Sequence, residues 1–285
     1  MNQPLLLGID IGGTKIRLAT ALPHAPEKLL YTITIPTPRS FADAQPDILQ
    51  AAHILLEGST VVGIGVSSPG PVDRKRGSIG HPTNLHWTKA PIVAWLKKQW
   101  QCPVELWNDA TAAAISEAQF GSARKYRYAL YVSVSTGIGT ALTLDGWPLP
   151  GLHNQEGGRM ILGLDEPYTT FQATSSGTAI VKEYGHIAAK IRNPHHWTAI
   201  SKRLAVGLHN LVVAADPEII VLGGGVSLHH KRFFPALSKE IQKLHPLYPF
   251  PPIVPAHAIE HAPLIGVLAA VSDSAGLASL PKPRV

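Results

Sequence analysis

Near the start of the chain a carboxylate stands just ahead of a glycine pair, in Asp10-Ile11-Gly12-Gly13-Thr14-Lys15. Paired glycines let backbone N–H groups approach phosphate oxygens with no Cβ in the way, and Asp10 beside them can hold Mg²⁺ through water. The same glycines would serve a plain β-hairpin turn, but the neighbouring Asp10 and Thr14 favour the phosphate reading. Ser135-Thr136-Gly137-Ile138-Gly139-Thr140 repeats this chemistry further along, with hydroxyls and free amides suited to the remaining phosphates. In Asp216-Pro217-Glu218-Ile219-Ile220-Val221-Leu222-Gly223-Gly224-Gly225, three glycines follow a buried run, where a flat base or ribose can lie against the backbone. Between these turns sits Trp107-Asn108-Asp109-Ala110, at the end of a short strand entering a helix. Asp109 there is either a helix cap or a general base that takes the proton of an acceptor hydroxyl as the bond to phosphorus forms.

Such groups need rigid elements to hold them. Periodicity and punctuation predict strands at Leu5–Ile11, Lys15–Leu22 and Leu29–Pro36, a helix at Pro46–Leu56 and a buried strand at Val61–Ser67. A helix opened by proline at Pro91–Trp100 and a strand at Val104–Trp107 follow, then an Ala-rich helix at Asp109–Phe120 that stops at Gly121. The pattern then restarts with strands Tyr128–Ser135 and Gly139–Leu144 around a second glycine turn. Helices at Thr198–Ala215, Phe233–Leu244 and Pro263–Ser274 alternate with strands Glu218–Leu222 and Ile253–Ala256. Two similar α/β halves flanking a cleft, both glycine turns facing one phosphate chain, are the expected architecture. The expected division is a small N-terminal α/β domain, 1–108, completed by a C-terminal helix at about 263–277, and a larger α/β domain, 109–262. The hinge is expected near Asp109, and Pro246, Pro249, Pro251 and Pro252 mark an exposed loop.

Composition narrows the function classes. The 285 residues are 45% hydrophobic and 15% charged, which suits packed cores and excludes disorder or a coiled coil. The apolar run from Leu5 has no basic flank and is too short for a signal peptide or a membrane span, so a cytoplasmic location is expected. The net charge of +6 comes from scattered Lys and Arg, with small clusters only at Arg74-Lys75-Arg76 and Lys231-Arg232. That distribution fits an enzyme handling anionic phosphates, and no nucleic-acid partner is expected, since no helix-turn-helix is read ahead of the first strand. Cys102 is the single cysteine, which rules out an intrachain disulfide and any multi-thiolate zinc site; beside Pro103 it reads as a small buried apolar residue. His195-His196 and His229-His230 show no metal-ligand spacing and read as surface or loop residues.

In order and spacing, these motifs resemble those of the ROK family (repressors, open reading frames and sugar kinases), along nearly the whole chain. Asp10 to Lys15 is similar to the family's first phosphate motif, Ser135 to Thr140 to its second, Asp216 to Gly225 to its adenosine motif, and Asn108-Asp109-Ala110 to its catalytic Asn-Asp-Ala. The resemblance implies an actin-like ATPase (ribonuclease H-like) fold, ATP with Mg²⁺, and Asp109 as the base. The implied ATP contacts are Asp10, Gly12, Gly13, Thr14, Lys15, Thr136, Gly137, Gly139, Thr140, Gly223, Gly224 and Gly225. On the sugar side, Asn108 would bond a hydroxyl, and Ser68, Pro69 and Gly70 with Asn84 resemble the family's pocket loops. A homodimer is also implied.

The departures bear on the substrate. Most family members carry Glu-x-Gly-His followed by a cysteine cluster that binds zinc, whereas this chain reads Glu156-Gly157-Gly158-Arg159, then Gly163 to Phe171 without a cysteine. A zinc-free, glucokinase-like enzyme of carbohydrate metabolism, acting in glycolysis, is the expectation. Glu156 keeps its place as a sugar ligand, Arg159 replaces histidine, and Gln172 stands where a second glutamate is expected. Arg159 either pairs with Glu156 to hold the loop or meets the sugar directly. Gln172, neutral beside Arg159, opens room for a substrate bearing a carboxylate or N-acetyl group. Glucose leads the expected substrates, with N-acetylmannosamine, another amino sugar or fructose as alternatives, and polyphosphate as an alternative donor. From another class, a sugar-sensing protein that has lost turnover through Arg159 and Gln172 fits the same fold.

Overall fold

The computed structural model describes residues 3–164, 167–244, 249–258 and 260–277. The apolar run near the start becomes β1 (Pro4–Ile11), which pairs antiparallel with β2 (Lys15–Leu22), placing Asp10 opposite Arg17; β2 pairs with β3 (Ala25–Pro36). The third strand begins at Ala25 rather than Leu29, because its residues lie mostly exposed along a sheet edge and carry no apolar alternation there. Helix α1 (Phe41–Leu56) also starts ahead of the expected Pro46. Ser40 caps it by accepting from the Asp43 amide, and Pro46 rides inside the helix. Next come β4 (Thr60–Ser68) and the short β5 (Val72–Asp73) and β6 (Ser78–Ile79), which pair with each other. Then α2 (Ile92–Trp100) leads into β7 (Val104–Asn108). The first sheet runs β3-β2-β1-β4-β7, with β4 parallel to both β1 and β7.

Helix α3 (Asp109–Gln119) opens the next part, followed by the hairpin of β8 (Tyr128–Val134) and β9 (Ile138–Leu144), and then β10 (Trp147–Pro148). The short strands β11 (Ile161–Gly163) and β12 (Thr169–Thr170) lead to α4 (Phe171–Ser175) and α5 (Gly177–Tyr184). Helix α6 (Pro194–Ala215) begins four residues ahead of the expected Thr198; Asn193 caps it and Pro194 is its first residue. The chain finishes with β13 (Ile219–Gly223), α7 (His230–Leu244), β14 (Ile253–Pro255) and α8 (Ala262–Ser274). The second sheet runs β10-β9-β8-β13-β14. It repeats the first, since each has a glycine-turn hairpin whose first strand is flanked on its other side by parallel strands.

Helix α8 ties the two sheets together. Ten of its thirteen residues are buried, so it is apolar on every face. Leu268 and Val271 pack with Leu6 and Ala21 of the first sheet, while Val267, Ala269 and Ala270 pack with Trp107, Ala112 and Ile115 around α3. Cys102 is half-buried against the first core, less enclosed than expected. Pro249 and Pro252 are exposed and Pro251 half-buried, while Pro246 lies outside the described residues. Among the described residues no helix is long and apolar enough to cross a membrane.

Candidate active site

Asp109 is the first residue of α3, where the chain leaves the parallel strand β7. The cap of this helix is Asn108: its Oδ1 accepts from the amides of Ala110 and Thr111 at 3.0 and 3.2 Å. Asp109 is thereby released from capping, and one carboxylate oxygen accepts from the Ala110 amide at 2.8 Å. Loss of water raises its pKa to about 7, the charges of Asp10 and Glu156 add to that rise, and the Ala110 hydrogen bond partly offsets it. Asp10 is raised too, first by burial. Ser67 across the strand pair and Arg17, 3.6 Å away, pull it partly back. A half-buried carboxylate near neutrality, beside two other acids, is suited to take a proton at ordinary pH.

Asp109 lines a cleft of about 160 Å³ together with Asn108, Pro69, Gly70, Asn84, Thr136, Gly137, Gly139, Thr140, Glu156, Arg159 and Gln172. Residues from six separated stretches of the chain thus converge on one space. At Gly70 a Cβ would stand 2.8 Å from Asn108 Nδ2 and 3.2 Å from Glu156 Oε1, so only glycine lets these side chains approach. Arg159 lies 3.5 Å from Glu156 with both side chains substantially exposed, the loop-holding pair weighed from sequence. Ser68 stands apart: it is fully buried, its Oγ donating to the Pro69 carbonyl at 3.2 Å.

The first glycine turn lies beside this cleft. The Gly12 amide closes the turn by donating to Lys15 O at 2.8 Å, and Thr37 Oγ1 donates to Gly12 O. Among the described residues the amides of Gly13 and Thr14 form no hydrogen bond, so they are the ones available to phosphate. A Cβ on Gly13 would run into Asn84 O, which fixes the turn against the sugar-side loop. In the second turn Ser135 N bonds Gly137 O, again leaving the Thr136 and Gly137 amides free among the described residues. Lys15 is exposed.

A second cavity of about 550 Å³ adjoins the first and shares Ser135 and Thr136 with it. Gly225 lines it, whereas Gly223 and Gly224 do not. Its apolar walls come from Val181, Ile187, Ala188, Val226 and Leu228, with Gly177 and Thr178 at the start of α5. The sequence does not single these residues out, because apolar side chains lining a cavity look like any core; the unrecognised helix start Ser176-Gly177 was the available signal. Gln155 and Thr83 in the first cleft were likewise missed. Among the described residues no three of His, Cys, Asp or Glu cluster so as to hold a metal ion. Half-buried Asp10, next to a like charge and only loosely paired with Arg17, is nevertheless suited to a hydrated Mg²⁺.

The chain is similar to fructokinase of Zymomonas mobilis, 30% identical over 76% of this chain and 78% of the relative. Among solved structures, ROK hexokinase from Thermus thermophilus superposes with a TM-score of 0.80 at 27% identity, covering 95% of this chain and 99% of that one. A ROK glucokinase from Streptomyces griseus, solved with glucose and AMPPNP, superposes at 0.81 with 21% identity, covering 94% and 99%. These likenesses identify the fold as the actin-like ATPase fold. The ROK family model matches residues 6–274, and the chain belongs to the ROK family, among its sugar kinases.

Proposed function

We propose that the protein transfers the γ-phosphoryl group of ATP to a hydroxyl of a hexose, glucose first, forming glucose 6-phosphate. The observation that carries this reading is the position of Asp109, held near neutrality in the same cleft as the free amides of Thr136 and Gly137. The sugar hydroxyl gives its proton to Asp109 as its oxygen attacks phosphorus in line with the departing ADP oxygen. Asn108 Nδ2, left free by the capping role of its oxygen, and Glu156 orient neighbouring hydroxyls, with Arg159, Gln172 and Asn84 at the rim. The amides of Gly13, Thr14, Thr136 and Gly137 bind phosphate oxygens, and adenine enters the apolar cavity beside Gly225. Asp10 would hold Mg²⁺ through water, and the ion would supply neutralisation of phosphate charge.

The two bodies that close on the substrates are residues 1–108 with 263–277, and 109–262. Closure excludes water and so protects ATP from hydrolysis. Fructose is the second candidate, favoured by the similarity to the Zymomonas fructokinase. A cytoplasmic homodimer is part of the same reading. The test is ADP release with Mg²⁺ and ATP across glucose, fructose, mannose and N-acetylmannosamine, repeated with Asp109→Ala. Turnover that disappears in the variant supports the reading; sugar and ATP binding without turnover in the natural protein would replace it with a sensor.

A further inference from the structure

Trp107 stands on β7 immediately before Asn108, is buried, and is touched from two further stretches of the chain. The Arg74 guanidinium lies over its face, 3.5 Å from the ring centre, while Arg74 Nε donates to Leu106 O at 3.1 Å and Nη2 to Glu105 Oε2 at 2.8 Å. Those bonds hold the guanidinium along β7 and leave its flat side for the indole. His153 meets the same ring in a T-shaped contact, with centroids 5.6 Å apart and planes at 72°. Its Nδ1 is enclosed and has no hydrogen-bond partner among the described residues, so the ring rather than that nitrogen makes the contact. Loss of water, then the Arg74 charge, lowers the His153 pKa, and the ring packs as neutral imidazole.

The same three stretches meet again in the cleft. Gly70, shortly before Arg74, faces Asn108 Nδ2 and Glu156 Oε1, and Glu156 follows His153 within one short turn, closed by the Gln155 amide donating to Leu152 O at 3.1 Å. The ion pair of Glu156 with Arg159, 3.5 Å long and substantially exposed, is worth little by itself. Placement of Glu156 therefore falls to the anchors of its loop: the Gly157 amide on Thr140 Oγ1 behind it, and His153 on Trp107 ahead of it. We propose that His153 is a positioning residue for the sugar: docked on the Trp107 ring that Arg74 holds from its face, it sets where Glu156 stands relative to Asn108 and Asp109. The proposal rests on the sugar-kinase reading of this cleft and adds what fixes its sugar-binding acid.

The experiment is a double-mutant cycle of His153→Ala and Glu156→Gln, read as kcat and KM for the best-accepted hexose, with His153→Phe as the conservative variant and a thermal melt of each protein. His153→Ala should lower kcat/KM by about 3- to 12-fold, the range of one aromatic contact, mainly through KM for the sugar. In the Glu156→Gln background the same change should cost less than about twofold, because no carboxylate is left to place. His153→Phe, which keeps a ring and drops both nitrogens, should stay within about twofold of the natural protein. An equal loss in both backgrounds, or a His153→Phe protein as impaired as His153→Ala, would overturn the proposal. Should the melt show His153→Ala unfolded, His153→Gln takes its place in the cycle. If the natural protein turns over no hexose, the kinase reading fails, and the same cycle read on calorimetric sugar dissociation constants still decides His153. Absence of any hexose binding sinks both.

Discussion

Asp109 should govern how turnover depends on pH. Its pKa of about 7 in the folded protein, against an ordinary 3.8, comes first from its removal from water and then from Asp10 and Glu156. With that value roughly a tenth of molecules carry the ionised base at pH 6 and roughly nine-tenths at pH 8, so kcat/KM should rise about tenfold across that window. Asp109→Asn keeps the shape and the acceptor for the Ala110 amide but removes the base, which should lower kcat by about 10²- to 10⁴-fold. The same pKa has a stability sign. The folded value lies above the unfolded one, so the folded state holds the extra proton between them, and this contribution is complete below the unfolded value and lost as pH rises through the folded one. Undiscounted, the rise from 3.8 to about 7 corresponds to roughly 4 kcal/mol, of which about 2.7 falls between pH 5 and pH 8. Screening in an open cleft reduces that to about 1–2 kcal/mol. Asp109→Asn should therefore gain stability over the natural protein by about that amount on going from pH 5 to pH 8, measured by urea unfolding. A flat kcat/KM between pH 6 and pH 8, or a variant that loses relative stability toward pH 8, would refute the reasoning.

Other substitutions test the surrounding geometry. Glu156→Gln removes a like charge facing Asp109, so the pH midpoint of kcat/KM should move down while KM for the sugar rises; an unmoved midpoint would separate the two acids. Gly13→Ala places a methyl group against Asn84 O, and overpacking of this kind costs about 1–3 kcal/mol. Urea unfolding should show that loss together with a raised KM for ATP. Glu117, buried in α3, accepts from the amides of Ser122, His257 and Ala258 at 2.9–3.0 Å. Glu117→Gln turns one acceptor into a donor facing N–H groups and should cost about 2–3 kcal/mol in the same assay; a change within experimental error would mean the carboxylate does not clamp this junction.

The two glycine turns were legible in sequence because their requirement is local: a glycine pair flanked by apolar strands can be seen in six residues. The α/β order was equally legible, since the core strands Leu5–Ile11 and Val61–Ser67 are continuous apolar runs. The start of α1 was not, because Pro46 imitates a first helical residue and the true cap, Ser40, precedes a stretch with little apolar periodicity. The division of labour between Asn108 and Asp109 was hidden as well. Both residues cap helices well, and only the observed bonds show that Asn108 takes the cap and frees the acid. Gln155 and the apolar wall of the second cavity depend on loops brought together from far apart in the chain, which no local pattern encodes.

Under the proposed function, sugar reading and phosphate reading are joined mechanically. Before Asp109, the phosphate turn at Gly13 rests on the backbone of Asn84, a residue of the sugar-side loop. After Asp109, the Gly157 amide donates to Thr140 Oγ1 at 2.9 Å, tying the loop of Glu156 to the second phosphate turn. That loop is anchored by backbone and packing: Phe171 N donates to Met160 O at 2.8 Å, and the Phe171 ring is wholly buried against Gly207 of α6. On each side of Asp109, then, a proposed phosphate contact is tied to a proposed sugar contact. Under the proposed function, a shift that seats the sugar against Asn84 and Glu156 would also move the amides at Gly13 and Gly137, and phosphate geometry would become productive only when the acceptor is in place.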